Sequence, residues 1–374
     1  MKELFISCLP GLEPVLGKEL TELGYSFTEG FGGLYVPFID MAQVYRLNLE
    51  LRTASRVLLP LHSFRCRDKV DLYKGATKVE WERYFEKMPT FAIDPVVHHK
   101  NLINSLYCAQ VVKDAICDRC NTTFGQRPSV DREAPEVSLH LFIFNEQATI
   151  SFDTSGLPLH IRGYRLEAGK APLRESLAAA LLLLMGYTGE EYLLDPCCGS
   201  GTFLIEAALI ASKTAPGLLR GRFGIFSHPE FSNKIWQQVR RDVESKRIGI
   251  AEGHIAGIEA NPRVVEIAKT AAAKALLNRE ITIIEGDFRN VEAPFTPNFV
   301  IANPPYGVRL PGANDRLLYK ELGDFLKRKT LKPARGAIFT GNLELAKCIG
   351  LHAKKRHVIN NGGIDCRLLE YDLY

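Results

Sequence analysis

The stretch Asp195-Pro-Cys-Cys-Gly-Ser-Gly-Thr202 decides the fold class of this 374-residue chain. It follows the strand-like run Tyr192-Leu-Leu-Asp195 and leads directly into the apolar-periodic segment 201–212, a pattern that predicts a strand, a glycine turn and a helix. Glycines in such a turn let the backbone approach a ligand, and the helix start offers free N–H groups. The turn lacks the lysine of a phosphate loop and the full glycine spacing of a dinucleotide site. Taken alone, it is equally consistent with an ordinary tight turn.

From Leu173 to the C-terminus the sequence alternates helical and strand patterns. Short apolar strands between amphipathic helices predict a doubly wound, mainly parallel sheet. Two final strand patterns straddle Gly362-Gly363 and predict an antiparallel edge hairpin. The predicted helices are 173–187, 201–212, 262–277 and 315–328, and the predicted strands are 192–195, 255–259, 281–285, 299–302, 336–340, 357–361 and 366–371.

Two further predicted strands end in acids. Glu259 closes the second strand, where an acid commonly binds a ribose diol. Asp287-Phe288 follows the third strand and offers an acid and a ring suited to an adenine. Asp195 and Glu259 lie 64 residues apart, well beyond the usual spacing of about 20, so segment 213–252 is expected to be an insertion. Each acid alone could belong to an ordinary loop, but three on successive strand ends predict a site for a nucleoside cofactor with an amino-acid head.

The fourth strand ends in Asn303-Pro-Pro-Tyr306, which indicates the type of reaction. Methylation of an exocyclic amine needs hydrogen-bond acceptors that aim the nitrogen at the methyl donor. The Asn303 side chain and a prolyl carbonyl can supply them, the prolines stiffen the loop, and Tyr306 can stack on a flipped base. The alternative interpretation is a Pro-rich turn that only closes a strand.

The composition is that of an ordinary globular protein, with 46% hydrophobic and 24% charged residues. It excludes collagen-like, coiled-coil and mostly disordered chains. The longest charge-free apolar stretch, 176–189, is shorter than the ~20 residues of a membrane span. Nine cysteines, an odd number, suggest no disulfide framework and favour a reducing cytoplasm. Residues 1–155 carry a net charge of −3 and residues 156–374 carry +7, so the basic excess lies in the C-terminal part.

Together these motifs resemble the class I S-adenosylmethionine-dependent methyltransferases of the Asn-Pro-Pro-Tyr type. Nearly the whole chain is similar to the bacterial THUMP-domain RNA guanine-N2 methyltransferases that act on 23S ribosomal RNA. The segments that carry this closer resemblance are Leu9-Pro-Gly-Leu-Glu-Pro-Val-Leu, Val112-Lys-Asp-Ala-Ile-Cys-Asp-Arg119, Ala171-Pro-Leu-Arg-Glu-Ser-Leu-Ala-Ala179, Ala215-Pro-Gly-Leu-Leu-Arg220, Asn303-Pro-Pro-Tyr-Gly-Val-Arg-Leu310 and Cys366-Arg-Leu-Leu.

The resemblance implies four segments and S-adenosylmethionine as the cofactor. These are a ferredoxin-like part (1–60), a THUMP RNA-binding domain (61–155), a linker (156–172) and a Rossmann-like methyltransferase domain (173–374). Asn303, Pro304, Pro305 and Tyr306 would be catalytic. The implied cofactor-binding residues are Pro172, Leu173, Asp195, Pro196, Cys198, Gly199, Ser200, Gly201, Thr202, Glu259, Ala260, Asp287, Phe288 and Asn303.

For RNA binding we expect Lys113 and Arg119 on one helix, with Arg127 nearby, and Arg309 beside the Asn-Pro-Pro-Tyr motif. Since the N-terminal half is net acidic, the catalytic domain could instead supply most phosphate contacts. Cys117 and Cys120 have the spacing of metal ligands, but no second pair follows, so no metal is expected.

The sequence leaves other functions open. The substrate could be a guanine in tRNA, and an assembly intermediate could replace naked ribosomal RNA. Adenine-N6 or glutamine-N5 transfer leaves the N-terminal half unexplained. A non-catalytic RNA-binding or ribosome-assembly protein with a vestigial fold is a further alternative, against which Asp195, Glu259, Asp287 and Asn303 argue. The oligomeric state and the modified nucleotide are not indicated.

Overall fold

The strands of the chain form two seven-stranded sheets, an N-terminal sheet and a C-terminal sheet. The computed structural model describes residues 3–165, 173–305 and 312–374. The strands of the N-terminal sheet are β1 (Glu3–Cys8), β2 (Thr28–Gly30), β3 (Gly33–Pro37), β4 (Ala54–Arg65), β5 (Phe91–His98), β6 (Val137–Phe144) and β7 (Gln147–Asp153). Their order across the sheet is β2-β3-β1-β4-β7-β6-β5.

The long strand β4 joins the two halves of the N-terminal sheet. Its first residues pair with β1 and its later residues pair with β7, with an irregularity in register after Pro60. Alternating residues of the neighbouring strands, such as Leu139, Leu141 and Ile143 of β6, point into one shared core. The boundary predicted after residue 60 therefore falls within a continuous strand.

Five helices accompany this sheet, and three of them begin at a polar side chain that accepts a hydrogen bond from the first turn. These caps are Asp40, Asp68 and Asn104, which satisfy backbone N–H groups that the helix itself cannot. The helices are α1 (Glu13–Glu22), α2 (Met41–Glu50), α3 (Lys69–Ala76), α4 (Glu82–Phe85) and α5 (Ser105–Phe124).

The C-terminal sheet has five parallel strands and an antiparallel edge hairpin. Its strands are β8 (Leu193–Asp195), β9 (Ile255–Glu259), β10 (Ile281–Glu285), β11 (Phe299–Ala302), β12 (Ala334–Thr340), β13 (Lys355–Asn361) and β14 (Ile364–Leu373). Their order is β10-β9-β8-β11-β12-β14-β13. The predicted fold class, a doubly wound parallel sheet with an antiparallel edge hairpin, is confirmed.

Helices flank this sheet as the alternating pattern predicts. Two of them, α6 and α7, are apolar nearly all round and lie in the core. These helices are α6 (Glu175–Leu184), α7 (Thr202–Ala211), α9 (Pro262–Lys274), α10 (Ala313–Arg328) and α11 (Leu343–Ala346), whereas α8 (Asn233–Glu244) packs against the N-terminal half. Within the described residues, no helix has the length and apolar character that crossing a membrane requires.

The predicted insertion 213–252 packs against the N-terminal half of the chain. Its Phe223, Trp236 and Val239 belong to the same core as the N-terminal sheet. Tyr45 of α2 meets Trp236 edge to face, with ring centroids 5.5 Å apart. A segment that is contiguous in sequence with the C-terminal sheet therefore completes the core of the other half.

One arginine of the insertion also fixes the connection between the halves. The Arg220 guanidinium donates hydrogen bonds to four backbone carbonyls of segment 155–161, at 2.6–3.2 Å. The side chain is almost fully buried and lies over the Phe223 ring. Hydrogen bonds from a charged donor are stronger than neutral ones, so Arg220 holds segment 155–161 in one conformation.

Candidate active site

The predicted site residues meet at one edge of the C-terminal sheet. Strands β8, β9, β10 and β11 are parallel, so the loops that follow them leave at the same edge. β8 lies between β9 and β11, and the strand order reverses direction there. In doubly wound sheets, ligands bind outside the carboxyl ends of the strands at such a reversal.

The loop between β8 and α7 is tied to β9 through its backbone. The Cys198 amide donates to the Ile258 carbonyl (3.0 Å), and the Gly201 amide donates to the Cys198 carbonyl (2.9 Å). Gly199 and Gly201 have φ angles of 54° and 76°, a region that residues with a Cβ adopt at a cost. No side chain caps α7, so its first N–H groups face the loop without a side-chain partner.

Gly257 of β9 makes room for this loop. A Cβ on Gly257 would lie 2.7 Å from Cys198 Cβ and 2.5 Å from Leu204 Cδ1. Both distances are shorter than packed carbon atoms tolerate, so any larger residue would displace the loop. Gly257 was not among the predicted site residues, and its only signal in the sequence is its position two residues before Glu259.

Two predicted acids lie beside the loop. Asp195 is 1% exposed, and burial raises its pKa to about 8. The backbone amide of Cys197 donates a hydrogen bond to Asp195 Oδ1 (3.0 Å), which partly opposes this rise in pKa. No basic side chain among the described residues forms an ion pair with Asp195. Glu259 accepts hydrogen bonds from the Gly199 amide (3.1 Å) and the Asn261 amide (2.8 Å). Glu259 is therefore fixed against the glycine turn.

The third strand end differs in part from what we expected. Asp287 follows β10 and accepts hydrogen bonds from the Arg289 side chain, which hold the pKa of Asp287 below its ordinary value. Arg289 also pairs with Glu321 at 3.0 Å. Phe288 is 7% exposed and packs edge to face on Phe325 in the core. In this conformation its ring supports the strand end from inside.

Asn303 follows β11 at the same edge of the sheet. Its Oδ1 atom is enclosed by protein and has no hydrogen-bond partner among the residues that the structure describes, which is an unfavourable state for a buried acceptor. Pro304 is buried and Pro305 is exposed. The other predicted residues of this loop, Tyr306 and Arg309, lie outside the described residues.

Arg165 is a site residue that sequence reasoning missed. Its guanidinium donates to Thr202 Oγ1 (2.8 Å) and to the Leu173 carbonyl (3.1 Å), and it lies 3.4 Å from Glu175. It therefore connects the end of the linker to the first residue of α7. Leu173 itself is buried in the core, and the predicted Pro172 lies outside the described residues. Of the remaining predicted cofactor residues, the structure places Pro196, Ser200 and Ala260 in the loops after β8 and β9.

The cations predicted to bind RNA on α5 are engaged with nearby acids. Arg119 makes two hydrogen bonds to the Glu82 carboxylate, at 2.7 and 2.9 Å. Lys113 pairs with Asp114, and Arg127 pairs with Asp118, both at 2.7 Å. Each of these charges has a local partner, so the three residues do not form a free basic patch.

Comparison with known families agrees with this architecture. Residues 162–370, which include the whole site, match the family described as "RMKL-like, methyltransferase domain". The chain belongs to this family. Residues 66–153 match the THUMP domain, and residues 3–58 match the RlmL ferredoxin-like domain. The family resemblance drawn from the sequence motifs is confirmed.

Named relatives of this RMKL-like chain include two proteins of comparable similarity. The ribosomal RNA large subunit methyltransferase K/L of Photobacterium profundum is 38% identical over 96% of the chain. A Synechocystis protein named provisionally as an RNA methyltransferase is 36% identical over 99% of the chain and 96% of its own length. The chain spans about half the length of the K/L relatives, 51% for the Photobacterium protein.

A solved structure shares the whole fold of the RMKL-like chain. It is a protein described provisionally as a methyltransferase and crystallised with S-adenosylhomocysteine. The two chains align with a TM-score of 0.87 and 28% identity, covering 100% of this chain and 98% of the other.

Proposed function

We propose that this chain transfers a methyl group from S-adenosylmethionine to the exocyclic N2 of a guanine in 23S ribosomal RNA. The observation that carries the proposal is the enclosed Oδ1 of Asn303, which has no hydrogen-bond partner in the described part of the chain, at the edge where Asp195 and Glu259 also lie. Relatives named as large-subunit ribosomal RNA methyltransferases support an RNA substrate. The THUMP match supports it independently of those names.

The residues at this edge fit S-adenosylmethionine. The cofactor supplies an electrophilic methyl group on a sulfonium, and its methionine part carries an ammonium and a carboxylate. Asp195 is a buried acid without a cationic partner in the described residues, and an ammonium would satisfy it. The uncapped start of α7 suits a carboxylate. A Cβ at Gly199 would meet no atom within 4 Å, so there is open space beside the turn.

The other acids suit the nucleoside part of the cofactor. Glu259 is fixed by two backbone amides and keeps lone pairs for a ribose diol. Asp287 lies on the adjacent strand and can accept an adenine amine while Arg289 holds it. The position of Phe288 in the core supports Asp287 rather than offering a free ring.

Asn303 would act on the accepting amine. When the Oδ1 atom accepts an N–H of the guanine N2 group, it fixes the direction of the nitrogen lone pair. As the nitrogen forms its new bond it gains positive charge, and the same oxygen stabilises that charge. The surplus proton leaves afterwards, so the step needs no strong base. Pro304, whose ring restricts the backbone, would hold its carbonyl as a second acceptor.

Methyl transfer to RNA tests the proposal directly. We would incubate the chain with labelled S-adenosylmethionine and total RNA from cells that lack it, then analyse the nucleosides and map the label. N2-methylguanosine in 23S RNA is the expected result. The same nucleoside in tRNA would change the substrate and keep the chemistry. Absence of label on naked RNA and on ribosomal precursors, together with no cofactor binding, would favour a non-catalytic RNA-binding role.

A further inference from the structure

The N-terminal sheet carries aromatic side chains on the face turned away from its core. Along β6, Leu141 and Ile143 point into the core, whereas Phe142 and Phe144 point the other way. Phe5 of β1 and His98 of β5 share this outer face, because Phe5 alternates with core residues and His98 pairs with Phe144. Aromatic side chains on both halves of the sheet therefore face the same side.

These rings form one connected group, which we call the aromatic platform. Phe31, in the turn between β2 and β3, stacks on Phe144 with centroids 4.7 Å apart and planes inclined by 27°. The rings of Phe142 and Phe144 are nearly parallel, with centroids 6.3 Å apart and planes inclined by 5°. The platform consists of Phe5, Phe31, Tyr35, His98, Phe142 and Phe144.

Part of the platform is open to solvent. Phe31 is 56% exposed and Phe144 is 36% exposed, and His98 is exposed beside them. Phe5, Tyr35 and Phe142 are half-buried, so packing between the two halves of the sheet explains why these positions are aromatic. It does not account for Phe31, whose ring stacks on Phe144 and leaves more than half of the side chain uncovered. Ring stacking fixes both side chains, so a flat partner would order little more on binding.

Backbone contacts link the turn that carries Phe31 to the C-terminal sheet through β1 and the residues that follow it. The Cys8 amide bonds the carbonyl of Gly32, next to Phe31, at 3.1 Å. Three residues after Cys8, Gly11 approaches the Val358 carbonyl of β13. Val358 is paired with Arg367 of β14, and Arg367 is paired on its other side with Thr340, the last residue of β12. The segment after β1 therefore contacts the C-terminal hairpin at the level of the carboxyl end of β12.

Three basic residues lie near Glu146, at the exposed end of the platform. Arg65 pairs with Glu146, in the turn after Phe144, and the charges of Lys100 and Arg67 also act on that carboxylate. Lys100 is exposed, follows His98 by two residues and has no ion pair among the described residues. Single-stranded nucleic acid has a negatively charged backbone and flat bases, which are complementary to a surface that combines a cation with exposed aromatic rings. Arg65 and Arg67 are paired with Glu146 and Asp71, as the cations of α5 are paired with their own acids, so Lys100 is the free cation that the described residues leave beside the platform.

We propose that the aromatic platform stacks unpaired bases of the RNA substrate, with Phe31 and Phe144 as the contact rings and Lys100 at the backbone. This inference rests on the proposed function, since it names where that substrate is held. Aromatic faces accept any base, so the platform holds single-stranded segments without reading their sequence. A protein partner on the same rings is the competing interpretation.

Binding of a short fluorescein-labelled single-stranded RNA of mixed sequence to the full chain tests the platform. Phe31→Leu and Phe144→Leu keep apolar bulk and remove the flat ring. Each ring that stacks on a base should be worth about five- to 150-fold in affinity. Phe31→Tyr and Phe144→Tyr should restore binding. Tyr192→Leu is the matched control, because Tyr192 is 37% exposed at the opposite edge, just before β8.

Salt dependence separates stacking from charge. The Leu variants should weaken binding with an unchanged slope of log affinity against log salt, whereas Lys100→Ala should reduce the slope by about 0.7. RNA affinity of both Leu variants equal to that of the wild type would overturn the proposal. So would Leu variants that bind RNA normally and lose only binding to ribosomal precursor particles, which would indicate a protein partner. S-adenosylhomocysteine affinity, measured in parallel, reports separately on the proposed function.

Discussion

Replacement of Asp195 by Asn should stabilise the fold at high pH while it weakens cofactor binding. Burial raises the pKa of Asp195 from 3.8 to about 8, so the folded state binds this proton more tightly than the unfolded state. The stabilisation is fully present below about pH 4 and is lost as the pH rises through 8. Where only the folded state is protonated at this position, the free energy of unfolding falls by about 1.4 kcal/mol per pH unit. Between pH 6 and pH 8 it should therefore fall by about 2 kcal/mol.

Urea unfolding followed by circular dichroism at pH 6 and pH 8 measures this difference. The D195N variant cannot titrate at this position, so its stability relative to the wild type should rise by about 2 kcal/mol over that interval. Asp287→Asn is the control, because Arg289 lowers the pKa of Asp287 and the variant should gain nothing as the pH rises. Parallel pH dependence of D195N and wild type would refute the reasoning. Calorimetry should also show weaker S-adenosylhomocysteine binding by D195N.

Three further substitutions test other parts of the site and fold. Asn303→Ala should reduce turnover by at least tenfold in the labelled-methyl assay and leave S-adenosylhomocysteine affinity nearly unchanged; a normal rate would exclude Asn303 from the proposed step. Gly257→Ala should weaken S-adenosylhomocysteine binding, since its methyl group would displace Cys198, and equal calorimetric affinity would show that the loop adapts. Arg220→Met should lower the free energy of unfolding by roughly 3 kcal/mol, because it leaves buried carbonyls of segment 155–161 unpaired; urea unfolding without such a loss would contradict the role of Arg220.

The C-terminal sheet could be predicted from the sequence because its signals are local. Each strand is a short apolar run next to a glycine turn or a capped helix, and strands 255–259, 281–285 and 299–302 occur with the predicted bounds. The acids and Asn303 could be located for the same reason, since each ends a strand or follows one within two residues. Parallel pairing then brings them to one edge without further information.

What could not be predicted depends on contacts between distant segments. The sequence shows that Arg119 is basic, but only the fold places Glu82, 37 residues away, against it. The same holds for Arg165, which reads as one more charge in a connector until the fold brings Thr202 to its guanidinium. The burial of Phe288 against Phe325 also depends on a distant segment, and no local sequence pattern indicates it.

The insertion links the two halves in a way that bears on substrate recognition. Its aromatic residues complete the N-terminal core, and Arg220 binds the linker that leads to Arg165 and the cofactor loop. The half that carries the aromatic platform and the half that carries Asn303 are thus joined by buried contacts. Since buried cores are closely packed and resist deformation, the distance between the two surfaces is set by the fold. Under the two proposals made above, an RNA held on the platform would present to Asn303 only a base at a matching distance, so the proposed guanine would be selected by geometry as well as by contacts to the base.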